Sequence, residues 1–480
     1  MFSAIALLLV LPSHQASQAG AAKFQVLDLK VDHLRNPLGI DNLAPRFSWS
    51  ITANARGVRQ HSYQLVVHSS KGATIWNSTQ HSSASFDVKY TGPALLAGEQ
   101  YWWAVSLTLS ALPDIKVVSS SDPATFTMGL LSPRDWSASF VGYNSSTADY
   151  EHAIWFRKAF ALPADYVHSP ATTSALLYVA SLGFCEASVN GKAASDAVLA
   201  PSTSFLPKRI LYKTYNVTQL LVAGENIIGL WASPGWANYP SEDCYPDKTK
   251  SPTPLPLVMA ELRVDGRVIA TDGSWKARQS SISHIGPFGP NNAGFGGDVI
   301  DGRLSVADWD TATADDDDWP NATVYGLPKA VVATHTDFPY SLTCSAGNAI
   351  IPAQPRQISA DVIEPTIRHS VVKAATVSSS GSNHTVTMQE LYTGWFEVAN
   401  LQGAPNSTVT FYVSTDKGLL VQYGMQVCGS FQWLRTVPAL VYLLPTQTFL
   451  TNPLAHRACT DSFFHRTHTF SVQVVRATSR

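Results

Sequence analysis

The sequence predicts an all-β protein: three tandem β-sandwich domains followed by an irregular C-terminal tail. Three observations carry this. Short segments alternate apolar and polar residues and are rich in aromatic and β-branched side chains, the period of a half-buried strand. Turn residues such as Gly72, Gly92 and Pro113 separate them at short intervals. No long amphipathic helical pattern occurs anywhere.

Composition agrees. Charged residues make up 14 % of the 480, against roughly 25 % in an average soluble protein, while 45 % are hydrophobic and 10 % aromatic, with 13 Trp. Such a chain buries large cores and is not disordered. Lys+Arg is 33 and Asp+Glu 35, a net charge of −2, so no single-sign field is present to recruit nucleic acid or an anionic membrane.

Taken in order, residues 1–19 read as a secretory signal peptide. Phe2–Leu11 is an apolar core too short for the roughly 20 residues of a bilayer span, and Ser17 and Ala19 supply the small residues before a cleavage site. The expected location is extracellular. Residues 24–130 form a first domain of immunoglobulin or fibronectin III type, with strand patterns at Arg46–Ile51, Ser62–Val67 and Tyr101–Leu107. Ser132–Trp136 marks a boundary.

A jelly-roll domain spans 150–328. Its strands read at Ala153–Phe160, Ala175–Ala180, Ile210–Val217 and Ile227–Trp231, and Asn190-Gly191 is a strong hairpin signal. A third sandwich spans 330–426, with strands at Thr385–Met388, Thr393–Val398 and Ser407–Val413. Residues 427–480 contain no Lys and no Glu, a single acid (Asp461) and five Arg, and neither strand nor helix periodicity persists. A genuine extension and a slipped reading frame or intron read-through both produce such a tail; we read the second.

Six N-x-S/T sequons, at Asn77, Asn144, Asn216, Asn321, Asn383 and Asn406, are glycosylation candidates in a secreted chain. The five cysteines (185, 244, 344, 428 and 459) are odd in number, so either one thiol is left unpaired or the chain's end is not what it seems, and no C-x-x-C pair suggests zinc or redox work. There is no G-x-S-x-G elbow and no H-E-x-x-H zinc motif. Asp315–Asp318 is a run of four acids without EF-hand spacing, read as a solvated loop beside a domain edge packed by Trp309 and Trp319. Trp236, Tyr239 and Glu242 fall in one stretch with further acids and prolines. Aromatic platforms beside hydroxyl-binding acids are the chemistry of a sugar site, and a loop pinned by its aromatics has the same composition; both readings stand.

The second block carries a specific resemblance. Gly183-Phe184-Cys185-Glu186-Ala187-Ser188-Val189-Asn190-Gly191-Lys192, then Leu199-Ala200-Pro201, Tyr212–Thr218, Gly224-Glu225-Asn226, Gly235-Trp236, Asp272–Lys276 and Gly297–Arg303 follow in the order seen in α-L-rhamnosidase N-terminal domains. Asn36–Asp41 with Pro45–Trp49 is similar to that family's fibronectin-like domain, and Thr393-Gly394-Trp395 to its third sandwich. The resemblance covers roughly 24–426 and implies inverting hydrolysis of terminal α-L-rhamnosyl groups from plant glycosides and pectic side chains. It implies rhamnose-containing glycans or plant cell-wall polysaccharide as partners. It also makes Asp298 and Asp301 candidate sugar or calcium contacts, calcium being the one cofactor considered; a turn acid paired with Arg303 is an equally good reading of the same residues. The sequence departs from the family at Pro201–Phe205, where Thr203 and Phe205 replace an aromatic and an acid. The family's (α/α)6 catalytic barrel is not recognisable before or within the tail, so no catalytic residue is assigned. A noncatalytic carbohydrate-binding or adhesive role is the alternative.

Overall fold

The computed structural model describes residues 24–54, 56–111, 115–143, 152–167, 175–204, 209–233, 256–285, 297–301, 304–326, 357–373, 376–380, 383–387, 394–399, 407–414, 420–427 and 471–479. Every regular element among them is a strand, apart from single 3₁₀ turns at Pro133–Asp135 and Thr218–Leu220. No helix of the described residues is long and apolar enough to cross a membrane. The chain divides into two compact units: residues 1–37 with 42–127, and residues 38–41 with 128–480.

The first unit contains β1 (Phe24–Val31), β2 (Arg46–Ala53), β3 (Arg59–Ser69), β4 (Thr74–Gln80), β5 (Val88–Lys89), β6 (Gln100–Ala111), β7 (Ile115–Ser120) and β8 (Ala124–Thr127). One sheet has the order β1-β2-β5, the other β4-β3-β6-β7 with β8 also on β6. Strand alternation sends Tyr101, Trp103, Val105 and Leu107 of β6 inward, all buried. They meet Phe47 of β2, whose ring lies 4.7 Å from Trp103, 5.9 Å from Phe126 and 6.1 Å from Trp76. The buried amide of Gln60 is fully used: its Oε1 accepts from Trp49 Nε1 at 3.0 Å and its Nε2 donates to the carbonyls of Ser82 and Ala84. The strand patterns at 46–51, 62–67 and 101–107 therefore fall in β2, β3 and β6 as expected.

The second unit opens with β9 (Phe140–Gly142), β10 (His152–Leu162), β11 (Leu176–Leu182), β12 (Phe184–Val189), β13 (Lys192–Ala193), β14 (Arg209–Asn216) and β15 (Gly224–Ser233). It continues with β16 (Leu257–Val264), β17 (Arg267–Ala270), β18 (Lys276–Ile285), β19 (Gly297–Ile300), β20 (Thr323–Gly326) and β21 (Gln357–Ala360). A six-stranded sheet, β13-β12-β15-β10-β18-β19, faces a seven-stranded one, β20-β9-β16-β11-β14-β21 with β17 on β16. The hairpin signal at Asn190-Gly191 is the β12–β13 turn, and both residues have positive φ, 53° and 76°, as a type I′ turn requires.

Both faces of the seven-stranded sheet are covered, which explains its continuous apolar runs. In β11, Leu177 and Val179 face the core between the sheets, with Ile154, Phe156, Ile228, Leu230 and Trp275. Leu176, Tyr178, Ala180 and Leu182 face a second core with Trp136, Ile210, Tyr212 and Met259. Cys185 is a free thiol buried in the first of these cores.

Beyond β21 the backbone forms β22 (Thr366–Lys373), β23 (Thr376–Ser380), β24 (Asn383–Thr387), β25 (Gly394–Ala399), β26 (Ser407–Ser414), β27 (Leu420–Val427) and β28 (Ser471–Ser479). They give the sheet β22-β28-β25 and the hairpins β23–β24 and β26–β27. The reading of 427–480 as irregular is corrected at its end: β28 lies between β22 and β25. Its Ser-Val-Gln-Val start does alternate, a signal too short to register beside the preceding aperiodic residues. Residues 428–470 lie outside the described set.

Candidate functional site

Of the sequence-predicted contacts, Asp298 lies in the six-stranded sheet and Asp301 follows it, so that sheet is built here from the strands upward. Strand β10 lies between β15 and β18, with Ile154 opposite Ala232 and His152 opposite Ser283. Strand β19 continues the sheet, with Asp298 opposite His284. The register thus brings the end of β15 at Ser233 and the backbone of Asp298 to the same end of one sheet. They are separated by three inter-strand steps, about 14 Å. The stretch with Trp236, Tyr239 and Glu242 leaves from that end; the three residues themselves lie outside the described set. Asp301 follows β19; it is part-buried and its backbone N–H donates to Ser281 O at 2.8 Å. Among the described residues no three His, Cys, Asp or Glu are grouped to hold a metal ion.

The outer face of the same sheet is closed by residues 308–322. Trp155 of β10 stacks on Trp309 at 5.4 Å and on Trp319 at 6.2 Å, with interplanar angles of 18° and 17°. Gly229 of β15 makes room: a Cβ there would lie 2.7 Å from Asp310 Cβ and 2.9 Å from the Trp309 ring. Beside the rings, Arg157 is only 3 % exposed. Its Nε donates to Trp309 O at 2.9 Å, its Nη2 to Thr311 O at 2.6 Å and Ala314 O at 3.2 Å, and its Nη1 to Asp316. The acid run is a solvated loop as read, with Asp315, Asp317 and Asp318 exposed, and it is tethered at Asp316. Asp316 pairs with Arg157, Asp318 with Arg278 at 3.2 Å, and Asp315 accepts from the backbone N–H of Asp317. The tryptophan-packed edge read from the sequence is present. Its aromatic faces are stacked on one another and so do not form an open sugar platform.

Two buried carboxylates escaped the sequence reading. Glu261, on β16, is 0 % exposed; its Oε2 accepts from the N–H groups of Ser137 at 2.7 Å and Ala138 at 3.2 Å, and its Oε1 from Arg263 Nε at 2.8 Å. Arg263 also donates to Asp135 O and lies 5.8 Å over the Tyr178 ring. The pair thus pins the 133–138 segment across the second core. Asp361, following β21, accepts from Ser202 N at 2.7 Å and pairs with Lys213 at 3.1 Å, holding β21 parallel to β14. A lone acid inside Leu-Val-Met-Ala-Glu-Leu was the available signal for Glu261, since such a group must find donors. Burial also keeps the phenol of Tyr178 neutral, its ionisation pushed up to about 12, and shifts Tyr212 and Tyr215 upward.

Of the sequons, Asn77, Asn216 and Asn321 have exposed side chains. Asn383 starts β24, and Asn144 and Asn406 lie outside the described residues.

Comparison with known proteins agrees with this architecture. The family model "Alpha-L-rhamnosidase N-terminal domain" matches residues 171–343, and "Rha78A-like, N-terminal immunoglobulin domain" matches residues 26–132. An α-L-rhamnosidase of Formosa agariphila is 29 % identical over 316 residues, 62 % of this chain and 32 % of that protein. The crystal structure of the Aspergillus terreus α-L-rhamnosidase superposes with a TM-score of 0.69 at 22 % identity, covering 95 % of this chain and 49 % of the other. That of the Streptomyces avermitilis α-L-rhamnosidase complexed with L-rhamnose gives 0.62 at 18 %, covering 87 % and 55 %. At these identities the two structures support the fold. The chain spans about a third of the length of the curated relatives it matches. Fold and matched segments together are similar to the β-domains of glycoside hydrolases. More narrowly, residues 26–132 and 171–343 are similar to N-terminal domains of α-L-rhamnosidases.

Proposed function

We propose that this chain is the β-rich part of a secreted α-L-rhamnosidase that removes terminal α-L-rhamnosyl groups from plant glycosides and pectic side chains with inversion. One observation carries the reading: two N-terminal domain models of that family match in order, at 26–132 and 171–343, and the match covers 32 % of a curated relative's length. The complex of the Streptomyces relative with L-rhamnose supports a rhamnose-containing ligand class.

Inverting hydrolysis needs a protonated carboxyl and a water-activating carboxylate about 6.5–9.5 Å apart. The buried acids described above are already committed: Glu261 to three N–H donors and Asp361 to Lys213 and backbone N–H groups. We place the catalytic pair in the barrel that the family resemblance implies, and assign Trp236, Tyr239, Glu242, Asp298 and Asp301 to sugar contact. The test is an assay of the purified chain with an aryl α-L-rhamnoside, beside calorimetric titration with rhamnose and pectic oligosaccharides. No rhamnose release together with saturable binding is expected. Rhamnose release would place the catalytic pair within these 480 residues, and a flat titration would remove the sugar-contact assignment.

A further inference from the structure

Strand β4, Thr74-Ile75-Trp76-Asn77-Ser78-Thr79-Gln80, forms an edge of its sheet. Among the described residues it pairs only with β3, from Tyr63 opposite Gln80 to His68 opposite Thr74. Its other side presents unpaired backbone N–H and C=O groups, a template for another chain. Edges are ordinarily protected by charged side chains or proline, and β4 has neither. An uncharged strand with Ile, Thr and Trp has the composition that favours strand-to-strand association.

A sequon occupies the middle of this strand, Asn77-Ser78-Thr79. Alternation sends Trp76 inward, its ring 6.1 Å from Phe47 and 4.9 Å from Tyr90, and leaves Asn77 exposed on the outer face. Asn77 Oδ1 accepts from Gln64 Nε2 at 3.0 Å, and its Nδ2 has no partner among the described residues. The other exposed sequons sit differently. Asn216 lies in β14, between β11 and β21, and its Oδ1 accepts from both the N–H and the hydroxyl of Thr218, at 3.1 and 2.6 Å. Asn321 forms an isolated bridge with Lys276 outside any strand.

We propose that Asn77 carries an N-linked glycan and that this glycan guards the β4 edge against self-association. The inference rests on the secretory reading above. In the transfer, Asn77 Nδ2 bonds to the anomeric carbon of a polyprenyl-pyrophosphate-linked oligosaccharide. The C1–O bond breaks, its electron pair leaves with the lipid pyrophosphate, and the amide nitrogen releases one proton. The attached glycan keeps the Asn77 carbonyl as an acceptor for Gln64 and projects bulk and hydration from the centre of the open edge.

The test is secretion of the full chain from a eukaryotic host, glycopeptide mass spectrometry at each sequon, and light scattering of the wild type, Asn77→Gln, Thr79→Ala and Thr79→Ser. The expected result is an occupied Asn77 in a monomeric wild type and in Thr79→Ser, which keeps the sequon. Asn77→Gln and Thr79→Ala, folded by circular dichroism, should show concentration-dependent association that at least doubles the apparent mass. Monomeric, folded Asn77→Gln and Thr79→Ala would overturn the guard role. A bare Asn77 with Asn216 or Asn321 occupied would overturn this inference alone. Bare sequons throughout would overturn it together with the secretory reading.

Discussion

Arg157 and Asp316 close the outer face of the six-stranded sheet: the guanidinium, buried on β10, donates to the Asp316 carboxylate and to the carbonyls of Trp309, Thr311 and Ala314. Residues separated by 159 positions are thereby fixed against Trp155, which is buried together with Trp319 while Trp309 stays partly exposed. Arg157→Met keeps the stem but leaves a carboxylate and three carbonyls without their donor. Removing one partner of a buried pair costs about 3–5 kcal/mol. Urea unfolding of this variant should show a loss of that order, with Asp316→Asn losing less because the carbonyl bonds remain. A loss below about 0.5 kcal/mol in Arg157→Met would contradict the account.

Glu261→Gln probes the second core. The carboxylate accepts on both oxygens, from Ser137 and Ala138 on one and Arg263 on the other. An amide of equal size must turn its NH2 toward one of these donor sets. That leaves buried donors unsatisfied at a cost of about 1–3 kcal/mol, more where a charge is involved. The expected outcome is a lower denaturation midpoint with an unchanged denaturant slope. An unchanged midpoint would show that Glu261 does not hold residues 133–138.

Gly39→Ala tests the short segment that belongs to the second unit ahead of the rest of it. Gly39 has φ +71°, and an added Cβ would collide with the Thr214 side chain, whose own Cβ would be 2.6 Å away. Left-handed backbone and overpacking act together here, each worth about 1–3 kcal/mol. A substitution neutral in thermal unfolding would mean that the segment is not seated against β14.

The buried phenols give the second unit a pH limit. Unfolded tyrosines ionise near pH 10. In the folded chain burial pushes Tyr178 up to about 12 and shifts Tyr212 and Tyr215 upward too. Above pH 10 the unfolded state binds fewer protons than the folded one, so stability falls as pH rises. The contribution is whole below pH 10 and, for Tyr178, lost as pH passes 12. Absorbance titration at 295 nm should show exposed tyrosines ionising near pH 10 and a later step coincident with loss of circular dichroism. One phase near pH 10 with the fold intact would contradict the burial.

What was legible in the sequence was local. Alternation placed β2, β3, β6, β10, β14 and β15, and Asn190-Gly191 marked a turn because positive φ at two successive residues needs that chemistry. The ordered strings from Gly183 to Arg303 carried the resemblance, and those that are described, such as Asn190-Gly191 and Gly224-Glu225-Asn226, mark a turn and a strand start of one sandwich. What was not legible was long-range. Nothing near Asp316 in sequence announces Arg157, so the tether of the otherwise solvated acid run was not legible. Pairing of β21 with β14 and of β28 with β22 and β25 depends on tertiary contacts that no local period encodes. For the candidate sugar-contact residues, composition indicated an aromatic and acidic stretch, while sheet register put the end of β15 at Ser233 on the same sheet end as the Asp298 backbone, three strands away.

The central claim, that these β-domains serve a rhamnosidase whose catalytic carboxylates lie outside the chain, is tested most directly by sequencing the transcript across codons 420–480 and onward. The account predicts a corrected frame that restores the third-sandwich strand pattern and runs on into a helix-rich stretch containing paired acids. A transcript that keeps the present frame and terminates after codon 480 would contradict it.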